Sequence, residues 1–154
     1  MRLKNLIKDC SADAGELEIT SLVVKSSTAK KGSMFFALKG VKNDGSEYVE
    51  EAVKNGAVCI ISEKECDGFG AIVIKVDDDR RVLAEISARF YNNPQIGMKF
   101  VGITGTNGKT TTSYMIRSIL HEAGKKTGLI GTLGAFIDDK PLEFTDMTTP
   151  DPPK

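Results

Sequence analysis

The residues best suited to do chemistry lie in one short segment, residues 104–111, with the sequence TGTNGKTT. It contains two glycines, Gly105 and Gly108, and the second is followed directly by a lysine and two threonines. An apolar stretch precedes this segment, and an amphipathic pattern with helical spacing follows it over 109–122. A strand-to-helix loop of this composition can turn successive backbone N–H groups toward one anion. The helix adds the positive end of its dipole, so the segment is predicted to bind phosphate.

The loop residues then divide into those that hold phosphate and those that act on it. In a phosphate loop the lysine places a cation on the β- and γ-phosphates, and the next hydroxyl binds Mg²⁺. We therefore predict ATP and Mg²⁺ as cofactors, Lys109 and Thr110 as catalytic residues, and Thr110 as the metal ligand. The standard pattern has Gly where Ile103 stands, so a chance lysine in a glycine-rich turn stays an alternative. The predicted ATP-binding residues are Gly105, Thr106, Asn107, Gly108, Lys109, Thr110 and Thr111.

The predicted helices and strands fall into two groups along the chain, and the second group contains this loop. Up to residue 92 the chain alternates short apolar strands with amphipathic helices. Strands this apolar are typical of a parallel sheet that is covered on both faces. We predict strands at 18–24, 34–38, 57–61 and 71–74, and helices at 3–8, 46–54 and 77–91, the second of them capped by Ser46.

A break at residues 92–94 (NNP) marks a domain boundary, which we place at 93–97. Beyond it the sequence predicts a strand at 99–104, a helix at 109–122, a strand at 126–130, and a hairpin at 135–144 that turns at Asp138 and Asp139. The fold class is therefore α/β. A small N-terminal α/β domain is followed by the truncated start of a mostly parallel phosphate-loop domain.

Composition excludes several other classes of protein. The 154 residues carry 21 basic and 21 acidic side chains, so the formal net charge is zero. This balance removes the bulk electrostatic argument for a nucleic-acid or anionic-membrane partner. No stretch approaches the ~20 apolar residues of a membrane span, and the N-terminus lacks the apolar core of a secretory signal. Three cysteines without a Cys-x-x-Cys pair predict a cytoplasmic protein with neither a disulfide framework nor a zinc site.

Three sequence blocks resemble one family, the Mur ligases, the ATP-dependent enzymes that build the peptidoglycan stem peptide. TGTNGKTT is the form that the phosphate loop takes in that family. Residues 32–40 (GSMFFALKG) with Asp44 and Gly45 resemble an N-terminal block of the members that add the third residue or D-alanyl-D-alanine. Residues 128–132 (GLIGT) with 148–150 (TTP) are most similar to the third-residue members. The three blocks keep the family's order and cover nearly the whole chain.

The resemblance implies a reaction and a separate binding role for each part of the chain. ATP would phosphorylate the free carboxylate of UDP-N-acetylmuramoyl-L-alanyl-D-glutamate, and the amine of meso-diaminopimelate or L-lysine would attack the acyl phosphate. Residues 1–92 would form the UDP-substrate-binding domain, and 98–154 the start of the central ATP-binding domain. The family's acidic Mg²⁺ ligands and amino-acid-binding domain would lie beyond Lys154. We expect a cytoplasmic monomer without nucleic-acid or membrane partners, and no turnover by this chain alone.

By motif position, the resemblance assigns substrate-binding roles to seven residues. The chain departs from the family at two of these places. Lys25, Ser26 and Ser27 stand where the family usually has Asp-Ser-Arg, and Met147 stands where relatives often have Asn. Lys25 is an alternative cation for the diphosphate. The predicted UDP-substrate-binding residues are Val24, Ser26, Val41, Lys42, Asn43, Thr148 and Thr149.

Two other hypotheses stay open, a UDP-sugar or nucleotide-binding module without turnover, and a ligase similar to folylpolyglutamate synthase. Simpler roles account for the remaining candidates. The single His121 is expected at a solvated helix end, residues 77–79 as helix-start acids, and Asp44 as a loop-shaping and capping residue. We expect residues 1–92 to be well packed and the apolar face of helix 109–122 to lack partners.

Overall fold

The computed structural model describes residues 1–7, 12–40 and 44–142. The chain divides into two compact units, Met1–Gly97 and a second that begins at Met98. Five residues with predicted substrate-binding roles lie outside the described residues, and those roles stay predictions. They are Val41, Lys42, Asn43, Thr148 and Thr149.

The first unit is built around a four-stranded parallel sheet with the strand order β1-β2-β3-β4. All four strands predicted for this part of the chain are confirmed. The first is shorter than expected because Glu18 pairs with Arg2 in an isolated antiparallel bridge. The strands are β1 Ser21–Val23, β2 Ser33–Phe36, β3 Ala57–Ser62 and β4 Ile72–Lys75.

Both faces of this sheet are covered, as the apolar strands predict. Neighbouring side chains of β2 belong to different buried clusters, because successive residues of a strand point to opposite faces. Met34 and Phe36 pack with Leu83 and other residues in one cluster, and Phe35 packs with Ala52 in the other. All four residues of β2 are buried, so the strand is the centre of the first unit.

The helices of the first unit match the predictions in place but not always in type or cap. The expected helix at 3–8 is a single 3₁₀ turn, Leu3–Asn5. The expected helix at 46–54 begins as a 3₁₀ turn, and its cap is Asp44 rather than Ser46, because the Asp44 carboxylate accepts the Ser46 N–H at 3.0 Å. The helices are α1 Ala12–Gly15, the 3₁₀ turns Ser26–Thr28 and Gly45–Tyr48, α2 Val49–Lys54, and α3 Asp79–Phe90.

The second unit contains one long helix and three antiparallel strands. These are α4 Lys109–Glu122, with the bounds predicted, and β5 Gly128–Gly131, β6 Gly134–Ile137 and β7 Lys140–Leu142. The predicted turn at Asp138 and Asp139 is confirmed, since these residues connect β6 and β7. The predicted strand at 99–104 is wrong for the described chain, where no strand pairs with it. A strand needs a neighbour for its N–H and C=O groups.

The apolar face of α4 is unpartnered among the described residues, as expected. No residue of α4 is buried, and Met115 and Ile119 are 61% and 68% exposed. Among the described residues, the largest fully buried side chains all belong to the first unit, which therefore holds the main core. Across the described ranges, no helix combines the length and apolar character needed to cross a membrane.

Gly45 lies against the end of β2. A Cβ at this position would be 2.5 Å from the Ala37 carbonyl carbon and 2.6 Å from the Leu38 nitrogen. The Gly45 N–H donates to the Leu38 carbonyl at 3.0 Å, which draws the two backbones together. The Asp-Gly pair of the sequence block thus closes the chain onto the strand end, where only glycine fits.

We expect Gly45→Ala to lower the free energy of unfolding of the first unit by about 1–3 kcal/mol, because the added methyl forces the backbone apart. Urea unfolding followed by NMR signals of β2 and β3 measures this change. Gly102→Ala is the control, since nothing lies within 4 Å of its new Cβ. Equal unfolding midpoints for the two variants would contradict the close approach.

Candidate functional site

The predicted phosphate loop has backbone conformations that require glycine. Gly105 has φ of 147° and Gly108 has φ of 77°, both in the left-handed region that L side chains rarely adopt. Gly108 is also the N-cap of α4, and no side chain caps the helix there. The first N–H groups of a helix have no intrahelical acceptor. The start of α4 therefore presents them to an anion.

Lys109 lies across this loop. Its Nζ donates to the Gly105 carbonyl at 2.5 Å and to the Thr106 carbonyl at 3.4 Å. Within the described part of the chain, no carboxylate forms an ion pair with it. Its charge is held by neutral carbonyls only, so an anionic ligand can replace them with a stronger, charge-assisted bond.

The remaining predicted ATP-binding residues are brought together in the same loop and the first turn of α4. Thr106, Asn107 and Thr111 are exposed there, and Thr110 is half-buried. Thr110 and Lys109 line one cavity of about 380 Å³. A hydroxyl oxygen beside a cation at a helix start fits a Mg²⁺–nucleotide, because Mg²⁺ prefers oxygen ligands and keeps bonds to substrate phosphates.

Thr132 is a residue at this site that the sequence predictions missed. It follows β5 in the turn to β6, lines the same cavity, and places its Oγ1 3.2 Å from the Thr110 Oγ1. The block GLIGT contained it, but spacing along the chain gave no sign of a contact between positions 22 apart.

Arg117 holds α4 against the β6–β7 hairpin, which follows the turn that contains Thr132. Its guanidinium donates to the Asp138 carbonyl and to the Asp139 carboxylate, the second at 2.7 Å. It also lies 5.3 Å from the centre of the Phe136 ring, a cation–π contact. These contacts fix the β6–β7 hairpin against α4. His121 lies 3.5 Å from Asp139, is half exposed, and occupies the helix end where it was predicted.

A second concavity, of about 310 Å³, lies in the first unit at the carboxyl ends of β1 and β2. Ligands of parallel α/β sheets bind at this end of the strands. The structure places Val24 and Ser26 together here, as both predicted roles require. The sequence predictions did not include Tyr48, which comes from the 3₁₀ turn after Gly45. The lining residues are Val24, Lys25, Ser26, Ser27, Phe35, Leu38, Gly45 and Tyr48.

Ser26 is held in this pocket from α2. Its Oγ donates to the Glu51 carboxylate at 2.7 Å, and the Asn55 side-chain amide donates to the Ser26 carbonyl at 3.0 Å. Because the hydroxyl proton is donated to Glu51, the Ser26 oxygen can meet a ligand only as an acceptor. Lys25 is exposed, and the described residues offer it no ion pair, so its charge is available at the rim.

Two of the acids predicted at the start of α3, Asp78 and Asp79, accept hydrogen bonds from backbone N–H groups. Asp78 caps α3 by accepting the Arg81 N–H at 2.8 Å. Asp79 is buried and accepts the Lys39 N–H at 2.9 Å, and Glu63 accepts the Asp79 N–H at 3.2 Å. The three carboxylates lie within 4.8 Å of one another. One backbone N–H thus donates to each of the three carboxylates.

Asp44 closes the loop that borders the pocket, as a capping residue. It accepts hydrogen bonds from the Lys64 ammonium and from the Ser46 hydroxyl and N–H, the last two at 2.8 and 3.0 Å. These hydrogen bonds hold the pKa of Asp44 well below its usual range, and the bond from Lys64 has the largest effect. Because its pKa is lower in the folded state, Asp44 stabilises the fold at pH values above its unfolded pKa of about 3.9. That contribution is lost as pH falls toward the folded value.

Replacing Lys64 by Ala is expected to raise the pKa of Asp44 toward its ordinary value, though not fully, since the Ser46 bonds remain. The ¹³Cγ chemical shift of Asp44, followed against pH by NMR, measures this change. Lys54→Ala is the control, because it removes an exposed pair with Glu50 at 2.7 Å and leaves Asp44 untouched. An unchanged Asp44 pKa in Lys64→Ala would assign the shift to Ser46 instead.

The two concavities define the class of protein. One unit carries a glycine loop with a lysine across it at a helix start, and the other carries a pocket at the ends of parallel strands. These are features of nucleotide-binding α/β proteins. Residues 18–91 match the family model "Mur ligase family, catalytic domain", and residues 103–154 match "Mur ligase middle domain". The chain belongs to the Mur ligase family.

Individual relatives agree with this assignment. UDP-N-acetylmuramoyl-L-alanyl-D-glutamate–2,6-diaminopimelate ligase from Caldanaerobacter subterraneus subsp. tengcongensis is 40% identical over an alignment of 152 positions, which covers 96% of this chain and 32% of that protein. The MurF ligase from Thermotoga maritima, solved in complex with ADP, has a TM-score of 0.53 at 28% identity, over 73% of this chain and 25% of that chain. The chain thus spans about a third of the length of the curated relatives it matches.

A third comparison concerns the fold alone. A solved structure of a UDP-N-acetylmuramoyl-L-alanyl-D-glutamate–2,6-diaminopimelate ligase superposes with a TM-score of 0.70 at 23% identity. The match covers 92% of this chain and 29% of that chain. The α/β class predicted from the sequence is therefore confirmed.

Proposed function

We propose that this chain supplies the substrate-docking unit and the ATP loop of a ligase in peptidoglycan synthesis. The ligase would add a diamino acid to UDP-N-acetylmuramoyl-L-alanyl-D-glutamate. The observation that carries the proposal is the loop at α4, where Lys109 donates to the Gly105 and Thr106 carbonyls and no carboxylate of the described residues pairs with it. The name of the 40% identical relative supports the substrate and makes 2,6-diaminopimelate the amino acid we favour over L-lysine.

In this proposal the two units hold different parts of the substrates. Residues 1–92 bind the UDP end in the pocket that contains Val24 and Ser26, and 98–154 begin the ATP-binding domain, with 93–97 as the link. Bound Mg–ATP supplies the phosphoryl group that activates the substrate carboxylate. The N–H groups at the start of α4 bind the phosphates, and Lys109 exchanges the Gly105 carbonyl for a phosphate oxygen, which spreads negative charge during transfer.

The chemistry that follows balances without a further reactant. The substrate carboxylate attacks the γ-phosphorus, so that an acyl phosphate forms and ADP leaves. The amine of the diamino acid then attacks the acyl carbon and gives up one proton to solvent, and phosphate leaves with the electrons of the broken C–O bond. The role of this chain is to position both ends, since proximity and orientation supply much of the rate in such transfers.

Lys109→Ala is expected to abolish detectable ATP binding, a loss of at least about 10-fold, because it removes a charge-assisted phosphate contact. Isothermal titration calorimetry with Mg–ATP measures it, and an unchanged circular dichroism spectrum shows that the fold is kept. Lys125→Ala, just beyond the other end of α4, is the matched control. Wild-type affinity in Lys109→Ala would refute the phosphate-loop assignment.

UDP and UDP-N-acetylmuramate are expected to shift the amide NMR resonances of residues 24–27 and 45–48. Ser26→Ala should weaken UDP binding about 3- to 10-fold, the usual cost of one lost hydrogen bond. Ser87→Ala removes a buried hydroxyl that has no described partner, outside the pocket lining, and serves as the control. If neither ligand moves these resonances, the role assigned to Ser26 is wrong.

A further inference from the structure

The turn after β5 brings a second hydroxyl to the start of α4. Thr132 Oγ1 lies 3.2 Å from Thr110 Oγ1, within hydrogen-bond distance, and either oxygen can be the donor. Thr132 is exposed, so its side chain does not serve the packing of the unit. The contact instead joins the phosphate loop to a strand turn 22 residues away.

A threonine hydroxyl that binds a cation needs a fixed orientation. It coordinates through an oxygen lone pair, and its O–H must then point elsewhere, toward an acceptor. Inside a helix this proton commonly goes to the carbonyl four residues earlier. Thr110 is the second residue of α4, so the carbonyl four residues before it, that of Thr106, lies outside the helix. Thr132 offers the alternative acceptor, on the side of the cavity that both residues line.

The surrounding contacts hold Thr132 in this place and leave the Thr110 hydroxyl to it. Ser113 Oγ donates to the Thr110 backbone carbonyl at 2.7 Å, so it fixes the backbone rather than the hydroxyl. Arg117 holds the β6–β7 hairpin to α4 at the Asp138 carbonyl. Thr132 lies in the turn before β6, and Asp138 follows the other end of the same strand, so β6 connects Thr132 to the Arg117 contact.

We propose that Thr132 is a positioning residue for the Mg²⁺ of the bound nucleotide. It accepts the Thr110 hydroxyl proton and keeps a Thr110 lone pair turned toward the cation. This inference rests on the proposed function, in which Thr110 is the metal ligand, and adds to it the residue that orients this ligand.

The test measures ATP affinity by calorimetry in Mg²⁺ and in EDTA, with the whole chain. For Thr132→Val, which keeps the shape and removes the hydroxyl, we expect the Mg²⁺-dependent gain in affinity to fall about 10-fold, while affinity in EDTA is unchanged. Thr132→Ser should restore the gain. Thr112→Val, the same change at an exposed position of α4, is the matched control and should behave as wild type.

Each other outcome overturns the inference in a distinguishable way. If Mg²⁺ raises the ATP affinity of Thr132→Val as much as that of the wild type, the inference is wrong and the proposed function stays intact. Equal losses in Mg²⁺ and EDTA would show that Thr132 only holds the hairpin in place. No ATP binding by the wild-type chain in either condition would refute the proposed function itself, and this inference with it.

Discussion

The burial of β2 on both faces is the constraint on which the first unit depends. Its neighbouring phenylalanines enter opposite clusters, Phe36 with Leu83 of α3 and Phe35 with Ala52 of α2. A strand packed in this way cannot slip by one residue without exchanging its two faces. The end of β2 is therefore fixed. Gly45 can then approach Leu38 closely enough to form one wall of the pocket.

The second unit positions its site by polar contacts instead. No residue of α4 is buried, yet the phosphate loop at its start has a defined shape. Glycine conformations set the turn, the Lys109 bonds to Gly105 and Thr106 close it, and Arg117 holds the hairpin alongside. The Arg117 side chain is only 15% exposed, and cation–π contacts strengthen when they are shielded from water. The loop can therefore keep its shape even though the helix carries apolar side chains in solvent.

The sequence predicted what depends on local pattern and missed what depends on partners. The four strands of the first unit and the bounds of α4 follow from apolar runs and glycine stops, which a chain shows directly. The sequence predicted capping by both Asp44 and Ser46, and only the backbone angles show that Asp44 is the cap. The strand at 99–104 was wrong because its apolar residues have no paired neighbour in the described chain.

Thr132 and Glu51 show the same limit at the site. Each touches a predicted residue, Thr110 and Ser26, across 22 and 25 positions of sequence. Motif spacing finds residues that lie in one loop, because a loop is contiguous. The groups that orient those residues come from other elements, and the packing of the elements decides which side chains meet.

Charge shows most clearly why placement matters more than composition. The 21 basic and 21 acidic residues cancel, so net charge alone argues against an anionic partner. Several cations are neutralised in pairs, such as Lys64 with Asp44 and Arg117 with Asp139. Lys25 and Lys109 instead lie beside a pocket and a phosphate loop, and the described residues supply no carboxylate to either. Over distances shorter than the screening length of about 8 Å, such a local charge acts on a ligand whatever the total is. A neutral protein can therefore still present a cation at each of the two predicted phosphate sites.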